Sequence, residues 1–245
     1  MKIVKWSFNT SHEWDVDHPE CIKPLVDGDY YPFKHLTKEA TAVRKGATFL
    51  KCPAHTDFLK NTFIFCAPFD ITIELDIKDE GASRIFCENI TQEQFEKLID
   101  MRFLYNVDRG INPYPIVGID WLTTFQTDES MLLQVFPAFM HRNDFTEKAT
   151  VVPGEYDISK WTRPVECVFE VRSNVEKIVI KKGDAISYFK FHSDEIVKLE
   201  NQPTPWPDIH QCNEIRNQNV FRPLKERYQA LVEDNKKRCP YDKQD

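Results

Sequence analysis

The nine residues Phe69-Asp-Ile-Thr-Ile-Glu-Leu-Asp-Ile77 decide the fold class. Five apolar side chains (Phe69, Ile71, Ile73, Leu75, Ile77) alternate with four polar ones. A period of two puts every second side chain on one face, which marks a strand with one side in a core. Just upstream, Asn61-Thr-Phe-Ile-Phe-Cys66 runs into Ala67-Pro68. A proline offers no N–H to a ladder, so the strand is expected to break there before the next begins. Downstream, Asp79-Glu-Gly81 reads as a turn into Ser83-Arg-Ile-Phe-Cys87, giving a hairpin.

The same period recurs outward from this segment. Val4–Phe8 forms a first strand, and Ile116–Phe125, Met131–Phe136 and Arg163–Val171 form later ones. Lys177–Ile180 and Ala185–Phe191 flank Lys181-Lys-Gly-Asp184, a second expected hairpin. Gly118 interrupts its apolar strand as a bulge would. Helical signals are fewer. Thr91-Gln-Glu-Gln94 fits a capping box, with Phe95, Leu98, Ile99 and Arg102-Phe103 following at helical spacing. Near the end, Pro223 precedes a stripe of Leu224, Tyr228, Leu231 and Val232. The expected fold is therefore mainly β, a jelly-roll or distorted β-sandwich with one mid-chain helix and a C-terminal helix. Residues 1–200 form its body, and residues 201–245 a Pro-rich tether (Gln202–Pro207) and the last helix. Two lobes split near residue 110 are the alternative.

Composition limits function. Aromatic residues at 13% supply a large buried surface. The net charge of −7 and the short basic clusters give no reason to expect nucleic acid. Seven glycines are too few and too scattered to write a G-x-G-x-x-G or P-loop. Seven cysteines include no C-x-x-C, so reduced, mostly buried thiols are expected, Cys52 among them. The first residues lack an apolar signal-peptide core, and the longest apolar run is too short to span a membrane. A soluble cytoplasmic protein with no membrane partner is the expectation.

Three stretches could carry chemistry. His55-Thr-Asp57 is an H-x-D motif. With His192, or His141 in its place, it would complete the two-histidine, one-carboxylate set that suits non-haem Fe(II). Lys198 would then hold the carboxylate of 2-oxoglutarate. Such a site makes the chain an Fe(II)/2-oxoglutarate oxygenase; the other reading makes His55 a turn residue and Asp57 a local cap. The second stretch, Val151–Pro164, gathers Asp157, Lys160, Trp161 and Arg163 after a Pro-Gly turn. It could stack and hydrogen-bond a flat ligand, or lock a long loop over an aromatic plug. The third, Lys51–Phe63, offers Lys60 and Asn61 as anion ligands or as caps.

Two segments carry a resemblance. Lys51-Cys-Pro…Asp57…Lys60-Asn-Thr-Phe…Ala67-Pro-Phe-Asp70 and Val152-Pro-Gly-Glu-Tyr-Asp-Ile…Trp161…Arg163-Pro…Ile180-Lys-Lys-Gly-Asp-Ala-Ile…Tyr188-Phe-Lys-Phe191 resemble an uncharacterised family of tailed phages, notably marine ones, and some bacteria. The resemblance implies a phage accessory or assembly protein that binds a protein or a small polar ligand. Its location would be the host cytoplasm or the virion, an oligomer is compatible with it, and no cofactor is expected. The Gly-Asp rhythm of Ile178–Phe191 is also similar to dUTPase-type β-clips and cupin jelly rolls. That similarity implies a third reading, a nucleotide-handling protein.

Overall fold

The computed structural model describes residues 1–8, 30–38, 52–75, 83–86, 91, 101–104, 116–121, 123–159, 161, 164–172 and 175–202, all within the unit Met1–Thr204. The chain is mainly β, and its sheets share one core. The expected helices after Thr91 and after Pro223, and the tether between the body and the last helix, lie outside the described residues, apart from the end of the first pattern. There Met101–Leu104 is a strand, not helix, because it pairs antiparallel with Ile116–Ile119.

Four sheets are present among the described residues. Strand β1 (Lys2–Phe8) lies between β8 (Thr123–Gln126) and, in parallel, β15 (Val197–Asn201). A five-stranded sheet orders β11 (Gly154–Asp157), β9 (Leu132–Pro137), β14 (Ala185–Phe191), β3 (Thr62–Cys66) and β2 (Phe33–His35). A third joins β13 (Lys177–Ile180), β4 (Ile71–Leu75) and β5 (Ser83–Phe86). The fourth runs β10 (Ala149–Val151), β12 (Glu166–Val171), β7 (Ile116–Asp120) and β6 (Met101–Leu104). All four contribute to the core, through Val4 and Phe125, Phe65 and Phe189, Ile73 and Ile178, and Val117 and Phe169. The five-stranded sheet is covered on its other face too, by Leu59 of helix α1 (Pro53–Leu59) packed with Ile64, Phe136 and Tyr188. That explains why every residue of β3 is buried and its sequence reads as continuous apolar.

The alternating segment forms β4 as expected, with Ile71 and Ile73 buried and Glu74 exposed, and β5 pairs with it. The second expected hairpin is different. Lys181–Asp184 is a tight turn, with Asp184 N–H donating to the Lys181 carbonyl (2.9 Å) and Gly183 at φ 90°. Yet β13 and β14 do not pair with each other. β13 pairs with β4, and β14 pairs with β3. Residues 62–75 and 177–191 thus form one long antiparallel ribbon that bends from one sheet into another, and both strands turn at the same place. Pro68 breaks one of them, and the Gly183 turn breaks the other. The two corners bond to each other, Ala67 N–H to Asp184 O and Gly183 N–H to Ala67 O, both 2.8 Å. A local reading sees the turn but not which strand lies across from it.

Other expectations are corrected in the same way. The single strand Ile116–Phe125 is two, β7 and β8, in different sheets, and the buried Trp121 between them packs on Phe65 and Phe69. Gly118 is no bulge, since it pairs in register with Val168 and Arg102. The irregularity lies at Ala185/Ser187. Cys52 is exposed because it precedes Pro53 at the start of a surface helix, whereas Cys66 and Cys167 are buried. Burial pushes the Cys167 thiol up to about 12, so it stays protonated and inert.

Asp70 clamps the ribbon corner. It accepts from Lys182 N–H (2.8 Å) and from the Lys181 amine (3.0 Å), which together hold its carboxyl below the usual range against partial desolvation. Asp144 is also lowered: desolvation opposes ionisation there, but Lys148 and the Val179 N–H (2.7 Å) prevail. A carboxyl lowered in the fold stabilises it above the unfolded value of about 3.9 and loses that contribution as pH falls through the folded value. Stability is therefore expected to decline below about pH 4, and Asp70→Asn and Asp144→Asn together should flatten that acid limb in denaturant titrations. An unchanged slope would show that the two clamps are not ionised in the fold.

Candidate anion-binding cleft

The loop leaving β9 is fixed before any ligand arrives. Tyr188, fully buried on β14, accepts from Met140 N–H (3.2 Å) and shares a hydrogen bond with His141 Nδ1 (2.6 Å). Phe139 N–H donates to the Pro137 carbonyl and His141 N–H to Ala138, both at 2.9 Å. Asn143 then opens helix α2 (Asp144–Lys148). Its side-chain oxygen accepts from Thr146 N–H (2.8 Å), the Thr146 hydroxyl accepts from Asn143 N–H (3.0 Å), and the Asn143 amide donates to Ala185 O (2.8 Å). Arg142 sits between two anchored residues.

Arg172 arrives from the other side. It follows β12, and its N–H donates to the Lys148 carbonyl (2.9 Å) at the end of α2. Between the two lies a cleft of about 240 Å³. Arg142, Arg172, His141 and Thr150 line it, Phe139 stands at its side, and Phe145, Val151 and Ile186 supply apolar lining. Neither guanidinium forms an ion pair or side-chain hydrogen bond among the described residues, although the protein as a whole is acidic. Glu170, across from Thr150 on β12, makes no ion pair with either. Two positive groups held on pinned backbone, with no acidic partner among the described residues, are suited to a carboxylate or phosphate, which a guanidinium fork binds through two parallel N–H donors.

The metal ligands expected at His55, Asp57 and His192, with Lys198, do not line this cleft. His55 and Asp57 are exposed on α1, where positions two apart are turned by about 200° instead of sharing a side as on a strand. His192 is exposed just beyond β14, with its N–H on Leu132 O (2.9 Å). Lys198 pairs with Glu200 on β15 (2.8 Å). Among the described residues no three His, Cys, Asp or Glu side chains are grouped to hold a metal. His141, the other expected distal ligand, is bonded to Tyr188 and lines the cleft.

In the second stretch, Lys160 and Arg163 lie outside the described residues. Asp157 accepts from the N–H and hydroxyl of Ser159. Trp161 meets the Tyr156 ring edge-on at 5.0 Å, and both pack against the core. Tyr156 also covers Gly154, whose added Cβ would lie 3.1 Å from the phenol oxygen. In the third stretch Lys60 and Asn61 act as clamps. The Lys60 amine donates to the Asp194 carbonyl, and Asn61 holds the Ser193–Val197 segment through both ends of its amide. Lys190 closes the end of α1 by donating to the carbonyls of Asp57 (3.1 Å) and Phe58 (2.7 Å). Burial holds its amine below the ordinary lysine range, with Lys60 adding to the effect and Asp57 opposing it.

Sequence reading passed over Arg142 and Arg172, since single arginines thirty positions apart form no motif. The one available sign was Phe139-Met-His141-Arg142, read there for its histidine. Among the described residues no helix is long and apolar enough to cross a membrane. No protein-family model, curated protein or solved structure matches the chain.

Proposed function

We propose that this protein acts by binding, and that it takes its ligand through an acidic group held by Arg142 and Arg172. The observation that carries this reading is the pair of guanidiniums lining one cleft without an acidic partner among the described residues. Arg142 and Arg172 are both exposed, and an arginine without an acidic partner gains more from an arriving anion than one already neutralised. The resemblance to the phage family supports an accessory role, in which such a site recognises a small polar ligand or an acidic group on a protein. The iron reading has no matching support, because His55, Asp57 and His192 do not form a ligand group.

Calorimetric titration with inorganic phosphate at low ionic strength tests the reading. Saturable binding in the millimolar range, equivalent to about 4 kcal/mol, is expected, and it should weaken with added salt. Arg142→Gln and Arg172→Gln should each weaken it at least about tenfold, since a hydrogen bond to a charged group contributes roughly 1.5–3 kcal/mol. Glu170→Gln should tighten it a few-fold by removing a nearby negative charge, as expected for about 0.5 kcal/mol of screened repulsion. Equal affinity in the wild type and the double arginine variant would remove the proposal, as would no binding by the wild type.

A further inference from the structure

We infer that the ligand is an amphiphilic acid, a ring or short apolar chain carrying a phosphate or carboxylate; this rests on the anion-binding reading above. Three observations lead there. The wall behind the cleft is apolar: Phe145, Val151 and Ile186 border it, but each is about 1% exposed, so the large apolar side chain open to a ligand there is Phe139. Phe139, on the same cleft, is 56% exposed, an unusual placement for a ring in a chain that buries so many. Its ring is not loose, since it stands edge-on to Tyr188 (5.6 Å, 71°) and contacts Phe58. A fixed aromatic surface thus adjoins two guanidiniums.

Size agrees with this. An apolar cavity of about 150 Å³ admits benzene, so 240 Å³ has room for a ring together with its acidic group. The anionic end would meet Arg142 and Arg172, and the apolar end would lie against Phe139. The chemistry shared by the candidate ligands is an acidic group on a ring-sized apolar body. Whether that group is phosphate or carboxylate is decided by which of two probes binds.

The experiment compares phenylphosphate, benzoate, inorganic phosphate and phenol with the full chain by calorimetry. Phenylphosphate or benzoate should bind about tenfold more tightly than inorganic phosphate, the gain from burying roughly 60 Å² of ring. Phe139→Ala should remove most of that advantage, so that the aryl anions bind this variant little better than inorganic phosphate does; the exposed position makes unfolding of this variant no obstacle, and circular dichroism checks it. Phenol should bind at least tenfold more weakly than phenylphosphate. If all anions bind alike, the amphiphilic ligand is wrong while the anion site stands. Phenol matching phenylphosphate would also overturn the inference. If neither inorganic phosphate nor the aryl anions bind, the inference and the reading beneath it fall together.

Discussion

Phe189→Ala is expected to destabilise the protein by about 3–5 kcal/mol, the range for emptying a large aromatic site in a core. The residue lies on β14, the middle strand of the five-stranded sheet, and is 4% exposed. Its ring contacts those of Phe33, Phe65 and Phe125 at 5.5–5.7 Å. Those rings come from β2, β3 and β8, so the vacated space adjoins two different sheets and cannot close by the shift of one strand. Urea unfolding should show the loss as a lower midpoint at similar slope. Phe189→Leu, which keeps most of the volume, should cost less than about 1.5 kcal/mol. Phe139→Ala, at an exposed ring, should stay within about 0.5 kcal/mol. If Phe139→Ala cost as much as Phe189→Ala, the assignment of one ring to the core and the other to a binding surface would be wrong.

The second large effect is expected at Asn61. It is the single non-glycine residue at positive φ (56°) among the described residues. Asparagine tolerates this region better than most residues. Its side chain donates to Ser193 O (3.0 Å) and Glu195 O (2.7 Å) and accepts from Val197 N–H (2.9 Å). These bonds tie the start of β3 to the entry of β15, which in turn pairs with β1. Asn61→Ala loses three hydrogen bonds at about 1 kcal/mol each and adds about 1 kcal/mol of backbone strain, an expected loss of roughly 4 kcal/mol. Asn61→Gly relieves the strain but not the lost bonds, so it should cost about 3 kcal/mol. Comparing the two variants by denaturant unfolding separates conformation from clamping. Equal cost would mean that the backbone angle contributes nothing.

Asn61 also marks what the sequence could and could not convey. That Asn61 would bond backbone through its side chain was legible, because asparagine commonly does so, but its partners are not the nearby turn it was expected to cap. That it grips a segment more than 130 positions away was not legible. Strands with one buried face were legible for the same kind of reason. β4, β12 and β14 declare themselves by alternation or by length of apolar run, and the body as mainly β follows from them. Pairing is a different matter. Lys181–Asp184 has the composition of a hairpin turn and is a turn, yet its arms enter different sheets because the Ala67–Asp70 corner lies beside it. Helices of five and seven residues, α2 and α1, are too short to show a period of 3.6. Asn143 with Thr146 caps α2 reciprocally, but Asn-x-x-Thr lacks the glutamate or glutamine by which a capping box is usually noticed.

The candidate site was the least legible part. H-x-D carries chemical meaning only on a strand, and residues 53–59 are helical. Arg142 and Arg172 acquire meaning only when β9, α2 and β12 bring their backbones to one cleft. The scarcity of glycine fits such a site. Guanidiniums, rings and a pinned loop form it, with no glycine-rich backbone cradle among the residues that line it.

The most direct measurement is a nitrogen-15 resolved NMR spectrum of the arginine Nε–H groups, recorded while phenylphosphate is added to the full chain. The signals of Arg142 and Arg172, assigned by their loss in Arg142→Gln and Arg172→Gln, should move together and saturate at one affinity, with the other arginines little changed. If phenylphosphate binds while those two signals stay fixed, or if no arginine signal responds at all, the cleft is not the binding site and the account fails.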